Sequence, residues 1–107
     1  MKTPMGEKIR TLRKKKKLTL DGLAEAAGSS KSYIWELENK NPPRPSGEKI
    51  SAIAAVLGVT ADYLLNTGGE LDEGDAIDKA FYREYSGMPS ETKAKIRQMV
   101  DMWKDET

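Results

Sequence analysis

The 107-residue sequence contains neither cysteine nor histidine. Without cysteine there is no disulfide framework and no thiolate metal site, and without histidine a zinc module is not expected. The same two absences remove the usual nucleophiles and metal ligands of an active site. Gly68-Gly69 is not followed by the Gly-Lys-Ser/Thr of a phosphate-binding loop. Asp72, Glu73, Asp75 and Asp78 form an acidic run without the spacing of an EF-hand, and they read as linker and helix cap. The chain is therefore expected not to be an enzyme, and to need no metal and no cofactor. No window approaches the roughly 18 continuous apolar residues of a membrane span. The segment Met1-Lys2-Thr3-Pro4-Met5-Gly6 lacks the apolar stretch of a secretory signal, so a cytoplasmic address is expected.

What is present is helical. Apolar residues make up 37% and charged residues 33% of the chain, and the mean hydropathy is −0.67. This suits one surface-rich domain with a small appendage. The net charge of +1 conceals an asymmetry. Residues 1–49 hold 12 Lys/Arg against 6 Asp/Glu, whereas residues 50–107 hold 6 against 11. A basic half joined to an acidic half points to a polyanion for the first and a different task for the second.

Caps and breakers divide the sequence into helices, and no stretch reads as a strand, so the fold class is all-α. Helix one is expected over about Gly6–Lys17, with Ile9 and Leu12 inward. Thr19 caps helix two, Leu20–Ala27, which Gly28 closes. Ser30 caps helix three, about Lys31–Asn39, and the prolines at 42, 43 and 45 end it. Ser46 caps helix four, whose stripe is Ile50, Ile53, Ala54 and Leu57. Gly58 ends it, and Thr60 opens a short fifth helix with Tyr63, Leu64 and Leu65. The first domain is expected over 1–67 and a glycine- and acid-rich linker over 68–74. A two-helix extension follows over 75–107, with one helix from Asp75 to Ser86 and a last one capped by Ser90. Two helices of this size cannot bury their own apolar faces well, so they must dock on the first domain or on a second copy.

The stretch from Leu20 to Leu37 is the most informative. Ala24, Gly28, Ile34 and Leu37 follow one another at steps of four, six and three. Ala24 is small enough for two helices to cross closely, Gly28 suits a positive φ, and Ile34 with Leu37 makes an inward stripe. The opposite face, Lys31, Ser32, Trp35 and Glu36, is left free to meet something outside.

These residues carry a resemblance. Glu7-Lys8-Ile9-Arg10-Thr11-Leu12-Arg13, Leu18-Thr19-Leu20-Asp21-Gly22-Leu23-Ala24 and Lys31-Ser32-Tyr33-Ile34-Trp35-Glu36-Leu37-Glu38-Asn39 resemble the XRE, or phage-repressor-like (lambda repressor-like, Cro-type), helix–turn–helix family. The run from Ile53 to Leu65 is similar to that family's closing signature. The resemblance covers about residues 6–67 and implies a compact five-helix domain that dimerises on inverted repeats in double-stranded DNA. The remaining tail resembles, more weakly, the tails of small regulators of prophages and toxin–antitoxin pairs.

By position, the resemblance makes Lys31, Ser32 and Glu36 base-reading residues, with Lys31 suited to guanine O6 and N7 and Glu36 to cytosine N4. Trp35 replaces the usual polar residue and could pack on thymine methyl groups, or anchor against Pro42 or Pro43. Lys31 could equally serve a phosphate, and Glu36 could pair with Lys40 four residues on. Ser30, Asn39, Lys40 and Arg44 are the expected phosphate-binding residues, and Arg13 with Glu38 the pair that ties helix one to helix three. Leu20 stands where the family often has a polar phosphate holder. Of Lys14, Lys15, Lys16 and Lys17, at most two should reach DNA.

The leading function is a sequence-specific transcriptional regulator, a repressor acting as a homodimer. The alternative is an antitoxin or prophage-type regulator whose tail binds a toxin or protease while the first domain autoregulates. Phe81, Tyr85, Ile96, Met99, Val100 and Trp103 form the stripe for either the dimer or the partner.

Overall fold

A hydroxyl or carboxylate three residues before a backbone amide starts six of the seven helices among the described residues, and this sets the architecture. The computed structural model describes residues 3–42, 45–66 and 72–105. The helices are α1 (Pro4–Lys15), α2 (Leu20–Ala27), α3 (Lys31–Asn39), α4 (Gly47–Leu57), α5 (Ala61–Leu65), α6 (Glu73–Ser86) and α7 (Ser90–Asp105), and no strand occurs among the described residues. Thr3, Thr19, Ser30, Ser46 and Thr60 each accept a hydrogen bond from the amide three residues on, at 2.9–3.2 Å. Asp72 does the same for Asp75 at 3.1 Å. Each cap satisfies a helix-start donor that would otherwise lack a partner.

Four boundaries differ from the sequence expectation, one being the end of α1, which falls at Lys15 rather than Lys17 because Lys17 turns to φ 58°. Helix α1 starts at Pro4, because Thr3 caps it and proline is tolerated at the first helical position. Helix α6 starts at Glu73, two residues early, because Asp72 supplies its cap, so Glu73 and Gly74 are helical rather than linker. Ser90 lies inside α7, whose first turn closes from the Lys93 amide to the Pro89 carbonyl at 3.0 Å. The expected domain end at Thr67 and residues 68–71 of the linker lie outside the described residues.

Helix ends follow equally local rules. Gly28 and Gly58 close α2 and α4 at φ 69° and 76°. Lys17 does the same job for α1 at φ 58°, with the Leu18 amide bonded to the Arg13 carbonyl and the Lys17 amide to that of Lys14. Helix α3 ends differently. Lys40 is extended there, and the Asn39 side-chain amide donates to the Trp35 carbonyl at 3.0 Å.

The core gathers one stripe from each of the first five helices: Ile9 and Leu12, Leu23 and Ala24, Ile34 and Leu37, the α4 stripe, then Tyr63 and Leu64. Burying each of the large aliphatic side chains stabilises the fold by about 1.5–3 kcal/mol. Helix α6 adds only Ala76 to this core, and α7 adds no buried side chain. The shape is correspondingly long, with a radius of gyration of 15.8 Å and a 49 Å principal extent. A compact chain of this length would have a radius of about 13 Å.

Candidate nucleic-acid interface

Helix α3 is held from behind by α1, which leaves its front face open. Arg13 Nε donates to Glu38 Oε2 at 2.7 Å and Arg13 Nη2 to Glu38 Oε1 at 3.0 Å. Arg13 Nη1 also donates to the Leu18 carbonyl at 2.9 Å. The Glu38 side chain is only 2% exposed. Its hydrogen bond and charge push the Arg13 guanidinium above its ordinary pKa, against the opposing effect of burial. Such a fork fixes angle as well as distance. It joins the two ends of the helix–turn–helix unit, because Arg13 also grips Leu18, two residues before α2.

Gly6 allows this approach. A Cβ there would collide with the Leu37 carbonyl oxygen and crowd the Glu38 backbone, so α1 lies against α3 backbone to backbone. With Ile34, Leu37 and Glu38 buried, Lys31, Ser32, Trp35 and Glu36 are all exposed on the other side. Trp35 is 44% exposed, with Lys40 Nζ 5.8 Å from its ring centroid. Lys40 therefore sits over the tryptophan, and Glu36 has no ion pair among the described residues. Lys31 Nζ lies 3.8 Å from Asp21 Oδ2 of α2.

Of the four expected phosphate-binding residues, Ser30, Asn39 and Lys40 cluster at the two ends of α3, whereas Arg44 lies outside the described residues, as does Pro43. The Ser30 hydroxyl accepts from the Tyr33 amide, which leaves its own proton free to donate. Asn39 is half-buried, with one amide proton committed to Trp35. The lysine run at the end of α1 divides. Lys15 Nζ pairs with Glu73 of α6 at 2.8 Å, and Lys16 lies beside Gly58, while Lys14 and Lys17 are exposed.

Two further cations were not singled out in the sequence. Lys49 Nζ sits 4.3 Å from the centroid of the Tyr33 ring, which places a positive charge beside the front of α3. Burial, with a smaller contribution from Glu36, raises the Tyr33 phenol above its ordinary pKa. Lys8 bonds the end of α5. Its position three after Met5 and four before Leu12 puts it on the inward stripe of α1, and that spacing was a readable signal of a structural role.

The expected tail residues also come together. Phe81, Ile96, Met99, Val100 and Trp103 line an open groove of about 490 Å³ between α6 and α7. Tyr85 lines the adjoining groove with Phe81, Ile96 and Val100. Its hydroxyl accepts from Arg97 Nη1 at 2.7 Å and its ring stacks 6.2 Å from that of Phe81. Trp103 is 70% exposed. No group of histidine, cysteine or carboxylate side chains among the described residues could hold a metal ion, and none of their helices is long and apolar enough to cross a membrane.

A closely crossed helix pair braced by a third helix, with a polar and aromatic outer face, is the geometry of a DNA-reading helix–turn–helix. The family model for Helix-turn-helix matches residues 9–64. The chain belongs to this family, that of XRE or phage-repressor-like DNA-binding transcriptional regulators. Among its relatives is the HTH-type transcriptional regulator SinR of Bacillus licheniformis, 35% identical over 74 residues that span 69% of this chain and 67% of SinR. A crystal structure of SinR, the master regulator for biofilm formation, in complex with DNA is 37% identical, with a TM-score of 0.55, and covers 58% of this chain and 98% of that one. A SinR protein/SinI protein complex is similar over 96% of this chain and 99% of the other, with 26% identity and a TM-score of 0.58.

Proposed function

We propose that this chain represses transcription by binding an inverted-repeat operator in double-stranded DNA as a homodimer, with α3 in the major groove. One observation carries the reading. The Arg13–Glu38 fork and the glycine contact at Gly6 press α3 onto α1 along one side, and the side left open presents Lys31, Ser32, Trp35 and Glu36 together. In this reading those four side chains meet base edges, while Ser30, Asn39, Lys40 and Arg44 hold phosphates and set the register. Two such helices about 34 Å apart would read half-sites one helical turn apart. The relation to SinR, for which a DNA complex is known, supports the same polyanion partner. A cytoplasmic location accords with this role.

Binding-site selection from randomised duplexes tests it. Lys31→Ala should flatten preference at one base position, costing about 1–3 kcal/mol of discrimination there. Arg44→Ala should weaken all duplexes alike and make the salt slope shallower by about one. A Lys31→Ala variant with an unaltered sequence preference would refute the base-reading role.

The groove between α6 and α7 favours a protein contact through the tail. The homodimer is the simpler occupant, and a different protein is the second reading, which the SinR/SinI complex supports by analogy. Sedimentation of the full chain separates them. Val100→Lys should give a monomer if the tail makes the dimer, and should leave the mass unchanged if the groove serves another protein.

A further inference from the structure

Asp21 stands in the first turn of α2 with no packing role, since 73% of its side chain is exposed. Its carboxylate faces Lys31, itself 61% exposed, across 3.8 Å. Lys31 is the first helical residue of α3, and the first turn of α3 contains no acidic residue. A cation at that place lies against the positive end of the helix dipole. The negative charge that this helix start lacks is thus supplied from α2.

We propose that Asp21 is a specificity-determining residue that acts through Lys31, turning its ammonium away from phosphates and toward a base edge. The inference rests on the base-reading role proposed above for Lys31. At 3.8 Å the carboxylate attracts the ammonium without accepting a hydrogen bond from it, so the three N–H donors stay available for guanine O6 and N7. A lysine without such a neighbour follows the strongest field nearby, which on DNA is that of the phosphate backbone. Beside Asp21 that attraction is offset, because a phosphate approaching Lys31 also approaches the carboxylate. The O6 and N7 acceptors of guanine carry only partial negative charge, so the repulsion there is weaker. The pair therefore penalises sequence-independent binding more than the specific contact, which raises discrimination by weakening the wrong complex. Because both groups are exposed, the pair contributes little to folding.

The test compares the full-length Asp21→Asn, Asp21→Glu and Lys31→Ala proteins with the unaltered chain. Each is taken through binding-site selection, then titrated with the selected duplex and a scrambled duplex of equal length. Asp21→Asn should tighten binding to the scrambled duplex about three- to tenfold, the effect of removing one carboxylate from beside the phosphates. It should tighten the selected duplex less, by about twofold or under, since there the Lys31 ammonium is held at a guanine edge that the carboxylate repels only weakly. It should flatten the same base position that Lys31→Ala flattens, and Asp21→Glu should restore it. An unchanged ratio of selected to scrambled affinity in Asp21→Asn, or flattening at a different position, overturns the inference while leaving the Lys31 reading intact. A Lys31→Ala protein with unaltered preference overturns both, and so identifies the Lys31 reading as the failed step.

Discussion

Lys8 Nζ donates to the carbonyl oxygens of Tyr63, at 2.8 Å, and Asn66, at 2.6 Å, while lying 4.4 Å from the centre of the Tyr63 ring. Helix α5 has only five residues, too few to persist alone. The ammonium satisfies its terminal carbonyls and sits at the negative end of its dipole. Lys8→Met keeps the aliphatic stem and removes the charge and donors. It should cost about 1–3 kcal/mol, read as a lower midpoint in urea with an unchanged slope. An unaltered midpoint would show that α5 is held by Tyr63 and Leu64 packing alone.

Gly6→Ala should be disproportionately harmful for one added methyl group. The Leu37 carbonyl occupies the space that the methyl needs, and backbone on both sides must move. A loss of about 1–3 kcal/mol is expected from such overpacking, together with weaker DNA binding as α3 shifts. Gly47→Ala is the control: nothing lies within 4 Å of that added carbon. Thermal unfolding of the two variants should therefore move in different directions or by clearly different amounts.

Lys17→Gly should stabilise the chain. Lysine at φ 58° carries a left-handed penalty of about 1–2 kcal/mol, whereas glycine returns about 0.4–1 kcal/mol through its freer unfolded state. The difference favours glycine by roughly 0.5–1 kcal/mol, a rise of a few degrees in the thermal midpoint. A fall in the midpoint would mean that the Lys17 side chain itself contributes.

Alkaline pH should destabilise the fold through its tyrosines. Burial, then the nearby Glu73, raises Tyr63 above its ordinary value of 10.0, and burial raises Tyr33 likewise. A raised folded-state pKa means that the folded chain holds the proton more tightly. Its contribution is complete below pH 10 and is lost as pH climbs through the raised value. Tyr63→Phe should flatten part of that decline above pH 10, measured as unfolding free energy against pH. An identical decline in both proteins would assign it elsewhere.

Some features are legible because they depend on residues close in sequence. The caps at Thr19, Ser30, Ser46 and Thr60, the left-handed ends at Gly28 and Gly58, and the inward pair Ile34 and Leu37 follow from spacing and side-chain type alone. The start of α6 is not legible, because an acidic, glycine-rich run reads as linker until Asp72 is seen to cap it. The sequence limits DNA contact to two of the four lysines at the end of α1, and only the fold shows that Lys15 pairs with Glu73 and Lys16 lies beside Gly58.

By itself, then, the sequence determined the helices, their faces and the family, since hydrogen bonds three or four residues apart and hydrophobic periodicity are local quantities. Tertiary structure decided which distant groups meet: Gly6 with the Leu37 backbone, Lys8 with the end of α5, Lys49 with Tyr33, and Asp21 with Lys31. Those contacts depend on the crossing of helices many residues apart, and no pattern within one helix encodes the distance between two.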